Sequence, residues 1–167
     1  DLRNHGLSPH DPEFDFECMA GDLQETFNIL NLSKINLMGH SLGAAAALLA
    51  GSQRSDVAAI VSVSAFAHPE QVMRRWLAEY RIPFWPLGWL VNRYIERVIG
   101  QRFDDIAPVS RIAHIQAPVL LVHGQDDTVV PLECARRLQA SAPHASLLVR
   151  AGRHDGFDEE DALYAQV

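Results

Sequence analysis

The sequence predicts an α/β fold: a doubly wound, mostly parallel sheet with helices packed on it and a helical insertion. Three observations carry this prediction. Short apolar runs alternate with helix-period segments along the chain, the order that builds a parallel sheet with helical crossovers. The runs at 57–63 and 119–122 are apolar almost throughout, as strands buried on both faces are. A serine stands between two glycines, Gly39-His40-Ser41-Leu42-Gly43, where one apolar run gives way to an Ala/Leu-rich one.

The elements follow in order. Residues 1–12 are polar and rich in Gly and Pro, a loop composition. Asp15 can cap a helix. Phe16, Met19, Ala20, Leu23, Phe27 and Leu30 then recur at the spacing of one helical face. A short polar connection, 31–34, leads to a strand at 35–38. The Ala/Leu run at 44–50 reads as a packed helix, with Gly51 as its C-terminal stop, and 57–63 as the next strand.

Residues 68–107 break the rhythm. They hold all three tryptophans, Trp76, Trp85 and Trp89, with Pro83 and Pro86, and arginines at 74, 75, 81, 93, 97 and 102. Helices are expected at 71–80 and 89–99, parted by the Pro-containing turn. The segment is too small to fold alone and reads as an inserted helical lid. Two ordinary surface helices packing their aromatics downward fit the pattern equally. Strand 119–122 follows Pro118, and a turn occupies 124–128. Pro131 suits the first turn of a helix at 132–140. A last strand is expected at 146–149, a Gly-containing loop at 151–156, and a helix from Phe157 onward.

With 167 residues, 48% of them hydrophobic and 21% charged, the chain can bury a real core. The net charge of −7 argues against a nucleic-acid surface. Cys18 and Cys134 lie in separate expected helices without metal-like spacing, and read as ordinary reduced thiols. No cofactor or metal is expected. No membrane-length apolar run and no signal peptide are visible, so the expected location is the cytoplasm.

The chemistry centres on Ser41. A serine between glycines at a strand-to-helix turn is a nucleophile elbow. The turn is tight enough that side chains at the flanking positions are expected to collide with backbone, and glycine tolerates φ > 0. A serine hydroxyl needs a general base, usually histidine, and a carboxylate to fix its tautomer. Both belong on loops at the C-terminal ends of strands. The loop after 119–122 offers Asp126 and Asp127; the loop after 146–149 carries His154. Asp155 is adjacent to His154, and successive side chains point apart, so it is a poor partner. The chain order Ser, Asp, His belongs to one particular fold. Of the other histidines, His40 is expected to pack beside the serine, His5 to serve its loop, and His123 to be a satisfied near-core residue. His10, His68, His114 and His144 show no partner pattern.

Four pieces together resemble the α/β-hydrolase family over nearly the whole chain. They are Asp1-Leu2-Arg3-Asn4-His5-Gly6-Leu7-Ser8, the elbow, His123-Gly124-Gln125-Asp126-Asp127-Thr128-Val129-Val130-Pro131, and Gly152-Arg153-His154. Asn4 replaces the glycine usual in the first. The third resembles the family's Gly-x-x-Asp-x-x-Val-Pro acid loop, and this resemblance selects Asp127 over Asp126. The closer likeness is to the lipase, esterase and serine-aminopeptidase-like branch, whose lid would correspond to 68–107.

What the resemblance implies is a serine hydrolase acting on a small-molecule acyl substrate: a carboxylic ester, or a thioester or short peptide. Ser41 would attack, His154 shuttle the proton, Asp127 steady His154, and the Leu42 backbone N–H supply an oxyanion donor. Relatives of this fold that attack with aspartate are disfavoured by Ser41. An acyltransferase with the same three residues, or a non-catalytic binding protein of this fold, are the alternatives. In the family, a second oxyanion donor comes from a loop before the Asp-x-Arg stretch, where this chain begins. Residues 1–167 are therefore expected to be the C-terminal portion of one domain, incomplete at its N-terminal side. Losing a donor typically costs about 10²–10³ in rate, so an isolated fragment is expected to be weak or inactive.

Overall fold

The computed structural model describes residues 7–12 and 16–157. The first six residues of the opening octet, the expected cap Asp15 and residues 158–167 lie outside the described part. In chain order the elements are α1 (Phe16–Ile29), β1 (Ile35–His40), α2 (Leu42–Ser52), β2 (Val57–Val63), α3 (Pro69–Glu79), a π turn (Phe84–Gly88), α4 (Trp89–Ile99), and the short α5 (Phe103–Ile106) and α6 (Pro108–Arg111). A 3-10 turn (Ile112–His114) then leads to β3 (Val119–Gly124), α7 (Leu132–Ser141), β4 (Ser146–Arg150), and the two-residue strands β5 (Gly152–Arg153) and β6 (Gly156–Phe157).

Strands β1 to β4 form one sheet in the order β1-β2-β3-β4, each pair parallel. Met38 pairs with Val61, Val61 with Leu120, and Val122 with Leu148. Parallel neighbours need a crossover, and helices supply each one. Leu37, Ile60 and Leu121 meet Leu48 of α2 and Leu138 of α7 in one buried cluster, so both helices lie on one face of the sheet. Val61, Val63 and Val122 form a second cluster with Leu120 and Leu148. Alternation along the strands turns them to the opposite face.

Helix α2 is buried from Ala44 through Gly51. Ala favours helix and has a short side chain, which lets α2 lie close on the sheet. Gly51 does not stop the helix, which continues to Ser52. A Cβ at Gly51 would stand 2.2 Å from Ile60 Cδ1, so the glycine serves close packing on β2. Of the face expected on α1, Phe27 is buried and Leu23 packs on the core. Leu30 lies past the helix end, 59% exposed. The helix expected from Phe157 onward is corrected at its start. Gly156–Phe157 instead pairs antiparallel with Gly152–Arg153, because the loop folds back on itself through backbone bonds.

The segment between β2 and β3 holds α3 and α4, close to the expected bounds. Leu77 of α3 is buried. A Cβ on Gly88 would stand 2.5 Å from Leu77 Cδ1 and 2.6 Å from Phe84 Cδ2, so this turn packs tightly under α3. The tryptophans do not pack downward: Trp76, Trp85 and Trp89 are all exposed. Trp85 and Trp89 contact each other, with ring centroids 5.5 Å apart. Among the described residues, no helix is long and apolar enough to cross a membrane, and no group of three His, Cys, Asp or Glu could hold a metal ion.

Candidate active site

The turn from β1 into α2 holds Ser41 at φ 52°, ψ −110°, a conformation that costs a non-glycine residue of order 1–3 kcal/mol. Two features hold it there. Ser41 N–H donates to Val63 O at 2.8 Å, extending the ladder past the ends of β1 and β2. Gly39 lets the chain double back: a Cβ on it would lie 2.3 Å from Gly43 O, 2.4 Å from Gly43 C and 2.6 Å from Ala44 N. The two glycines are not equivalent. Among the described residues, a Cβ on Gly43 would meet nothing within 4 Å. Neither has the positive φ that the sequence suggests for this turn; Ser41 itself has it.

Asp127 lies in the turn between β3 and α7, with its side chain fully buried. Its Oδ1 accepts from Val129 N–H at 2.9 Å and from Val130 N–H at 2.7 Å. Its Oδ2 lies 2.8 Å from His154 Nδ1. Burial pushes the Asp127 carboxyl up, but the His154 hydrogen bond, the two backbone donors and the nearby His154 outweigh it and leave the carboxyl below its ordinary range. Asp126 and Asp155 are exposed.

His154 follows β5, and its Nε2 lies 3.1 Å from Ser41 Oγ. A carboxylate only accepts, so Nδ1 carries the proton toward Asp127 and Nε2 is left to accept from the serine hydroxyl. The acid and base loops are joined through backbone. Gln125 N–H donates to Arg150 O at 2.8 Å, and Asp126 N–H to Gly152 O at 3.0 Å. A Cβ on Gly124 would stand 2.7 Å from Gly152 O, so glycine is needed for that approach. The structure thus brings Ser41, Asp127 and His154 together. Leu42 N–H belongs to the first turn of α2, whose N–H groups have no intrahelical partner.

His40 and His68 have roles their spacing did not reveal, and His123 is the satisfied near-core residue that the sequence suggests. The His40 ring packs against the His154 ring, with centroids 4.9 Å apart, and its Nε2 lies 2.7 Å from His154 O. A ring N–H facing a carbonyl donates, so His40 ties the elbow strand to the base loop. His123 is 1% exposed, and its Nε2 donates to Val130 O at 2.8 Å, bracing the acid loop from below. Burial holds His123 below the usual imidazole range, against the Val130 bond and the Asp127 charge, so it stays neutral. His68 caps α3: its Nδ1 accepts from Glu70 N–H at 3.1 Å, and its Nε2 meets Asp104 Oδ1 at 3.0 Å. A cap pattern of histidine before proline was the available signal for His68. For His40 none existed, because its partner lies across the fold. His10, His114 and His144 are exposed, and His5 lies outside the described residues.

A profile described as the alpha/beta hydrolase family matches residues 1–167. The chain is 35% identical over 125 residues to the uncharacterized protein YqkD of Bacillus subtilis, an alignment covering 72% of this chain and 41% of that protein. It is 47% identical over 57 residues to the sn-1-specific diacylglycerol lipase ABHD11 of Mus musculus, covering 34% of this chain and 19% of that one. Other relatives, each aligned over 34% of this chain, are named an esterase and an ethanol acetyltransferase. The chain therefore spans less than half the length of these relatives. Among solved structures, an alpha/beta fold family hydrolase from Bacillus anthracis superposes with a TM-score of 0.72 at 15% identity, covering 99% of this chain and 78% of that one. The chain belongs to the alpha/beta hydrolase family.

Proposed function

We propose that the chain carries the acyl-transfer centre of a serine hydrolase that cleaves a carboxylic ester, or a thioester or short peptide. The observation that carries this is the continuous hydrogen-bonded line from Asp127 through His154 to Ser41, at 2.8 and 3.1 Å. Ser41 Oγ attacks the acyl carbon while its proton passes to His154 Nε2. The imidazolium so formed is stabilised by the buried Asp127 carboxylate. The tetrahedral oxyanion accepts from Leu42 N–H, at the positive end of the α2 dipole. Collapse expels the leaving oxygen, nitrogen or sulfur with the proton from Nε2. Water then attacks the acyl-enzyme by the same route, releasing the acid and restoring Ser41. In this reading α3 and α4 form the lid over the site.

The test is covalent labelling of the full-length protein with a fluorophosphonate probe. Labelling is expected in the wild type and lost in Ser41→Ala; labelling that survives Ser41→Ala refutes the assignment. Ester turnover in that variant should fall by up to about 10⁶-fold. An acyltransferase is the second reading, favoured by the relative named ethanol acetyltransferase. It shares every residue above and differs in the acceptor that attacks the acyl-enzyme. Product analysis with an alcohol present separates the two: a new ester means transfer, free acid means hydrolysis.

A further inference from the structure

Arg75 reaches from α3, in the inserted segment, to the acid loop. Its guanidinium donates to Thr128 O, 53 positions along the chain. That carbonyl belongs to the peptide joining Thr128 to Val129, and the N–H of the same peptide donates to Asp127 Oδ1 at 2.9 Å. The peptide is trans, so it is planar and its C=O and N–H point to opposite sides. Arg75 and the Asp127 carboxylate therefore hold one rigid plane between a cation and an anion. Hydrogen bonds in such a row polarise one another: a carbonyl accepting from a guanidinium leaves its N–H a stronger donor. Gln71, one turn earlier on α3, accepts from Cys134 Sγ at 3.6 Å, and both α3 residues line one cavity with Val129 and Val130. The adjacent Arg74 is engaged elsewhere. Its Nε donates to Glu70 Oε1 at 2.5 Å, and its guanidinium lies 3.5 Å from the centroid of the Phe84 ring.

We propose that Arg75 is a positioning residue for the reaction: through the Thr128–Val129 peptide it fixes the grip on Asp127, and so ties the inserted helices to the acid of the site. This rests on the serine hydrolase reading. Asp127 Oδ1 has two backbone donors, Val129 N–H and Val130 N–H, while Oδ2 faces His154 Nδ1. Without Arg75, the 128–129 peptide is held from one side only and can turn about the bonds that flank it. Its N–H becomes a weaker and less directed donor. The carboxylate then gains freedom about its own side-chain bonds, and the imidazole it orients gains the same freedom toward Ser41. The loss falls on kcat rather than KM. Asp127 acts on the imidazolium, which exists only once the serine proton has moved, and not on bound substrate.

The test measures p-nitrophenyl acetate hydrolysis by the full-length protein, with urea unfolding of each variant. Arg75→Met keeps the aliphatic stem and removes the charge and the donors. Its kcat should fall about tenfold with KM little changed, the low end for a charge-assisted hydrogen bond because Arg75 is exposed. Arg75→Lys restores a cation and an N–H donor and should recover most of that loss. Arg74→Met removes the same charge from the same helix and should stay within about twofold of wild type. In an Asp127→Asn background, Arg75→Met should cost less than about twofold more, since its effect passes through the carboxylate. A wild type that fluorophosphonate does not label overturns the hydrolase reading and this proposal with it. With a wild type that labels, an Arg75→Met protein of unchanged kcat overturns the positioning role alone. So does a change in KM only, an equal loss in Arg74→Met, or a full tenfold cost that persists beside Asp127→Asn. Should Arg75→Met unfold, Arg75→Lys decides: a restored urea midpoint with kcat still low overturns the role, and recovery of both supports it.

Discussion

Replacing Gly39 by Ala places a methyl group inside the elbow. Its closest contact, 2.3 Å from Gly43 O, must open by about 0.7 Å to reach 3.0 Å, and the atoms in the way are backbone, not the end of a flexible side chain. Either β1 or the first turn of α2 has to move, and Ser41 lies between them. The Ser41 Oγ to His154 Nε2 distance is 3.1 Å, so a shift of that size along the pair opens it to about 3.8 Å, out of hydrogen-bond range. A misplacement near 1 Å can cost about 10² in rate, and overpacking a tight site costs about 1–3 kcal/mol. Gly39→Ala in the full-length protein should therefore label with fluorophosphonate about 100-fold more slowly and unfold at lower urea. Gly43→Ala is the matched control: the same methyl, in the same motif, with open space around it among the described residues. It should label within a few-fold of wild type, since its added methyl displaces nothing the structure describes. Equal losses in the two variants, or a Gly39→Ala protein that labels at the wild-type rate, would refute the packing argument.

Two further predictions come from the site. His40→Ala removes both the bond to His154 O and a face of packing for its ring; kcat should drop about tenfold, as expected for a lost positioning contact, with KM little changed. His40→Gln keeps an N–H donor and should recover part of the loss, whereas recovery of thermal stability without recovery of kcat would count against a positioning role. The folded-state pKa of Asp127 lies below its unfolded value, so its ionised form stabilises the fold. That contribution is fully present above the unfolded carboxylate pKa of about 3.9 and is lost as pH falls through the lower folded value. Urea titrations should show wild type and Asp127→Asn converging as pH drops below about 4; a difference that stays constant down to pH 2 would contradict it.

Much of this molecule is legible from local pattern. Strand 57–63 is apolar throughout most of its length because both faces are covered, and it appears with those bounds. Helix 89–99 appears with its expected bounds, and Gly100 past its end adopts the left-handed conformation at φ 71°. The elbow, the acid loop and the base loop are each short and chemically distinctive, so a single sequence points to Ser41, the 126/127 pair and His154. Local pattern misleads where a distant neighbour decides. Gly51 looks like a helix stop because glycine is a poor helix former, yet its place is dictated by Ile60 on a neighbouring strand. Of the two readings of the inserted helices, the one with aromatics packed inward is not what the structure has: Leu77 is buried on α3, and Trp76, Trp85 and Trp89 are exposed.

The sequence by itself determines the order of strands and helices, the residue types able to perform acyl transfer and the loops that carry them, because periodicity, propensity and turn chemistry act over a few neighbours. The tertiary structure decides which residues meet. Only it separates Asp127 from Asp126 physically, by burying one and exposing the other. Only it gives Gly39 and Gly43 different tasks, and joins His40 to the loop 114 positions away. Contacts of that range depend on how the crossovers stack the sheet, and no local pattern encodes a distance across it.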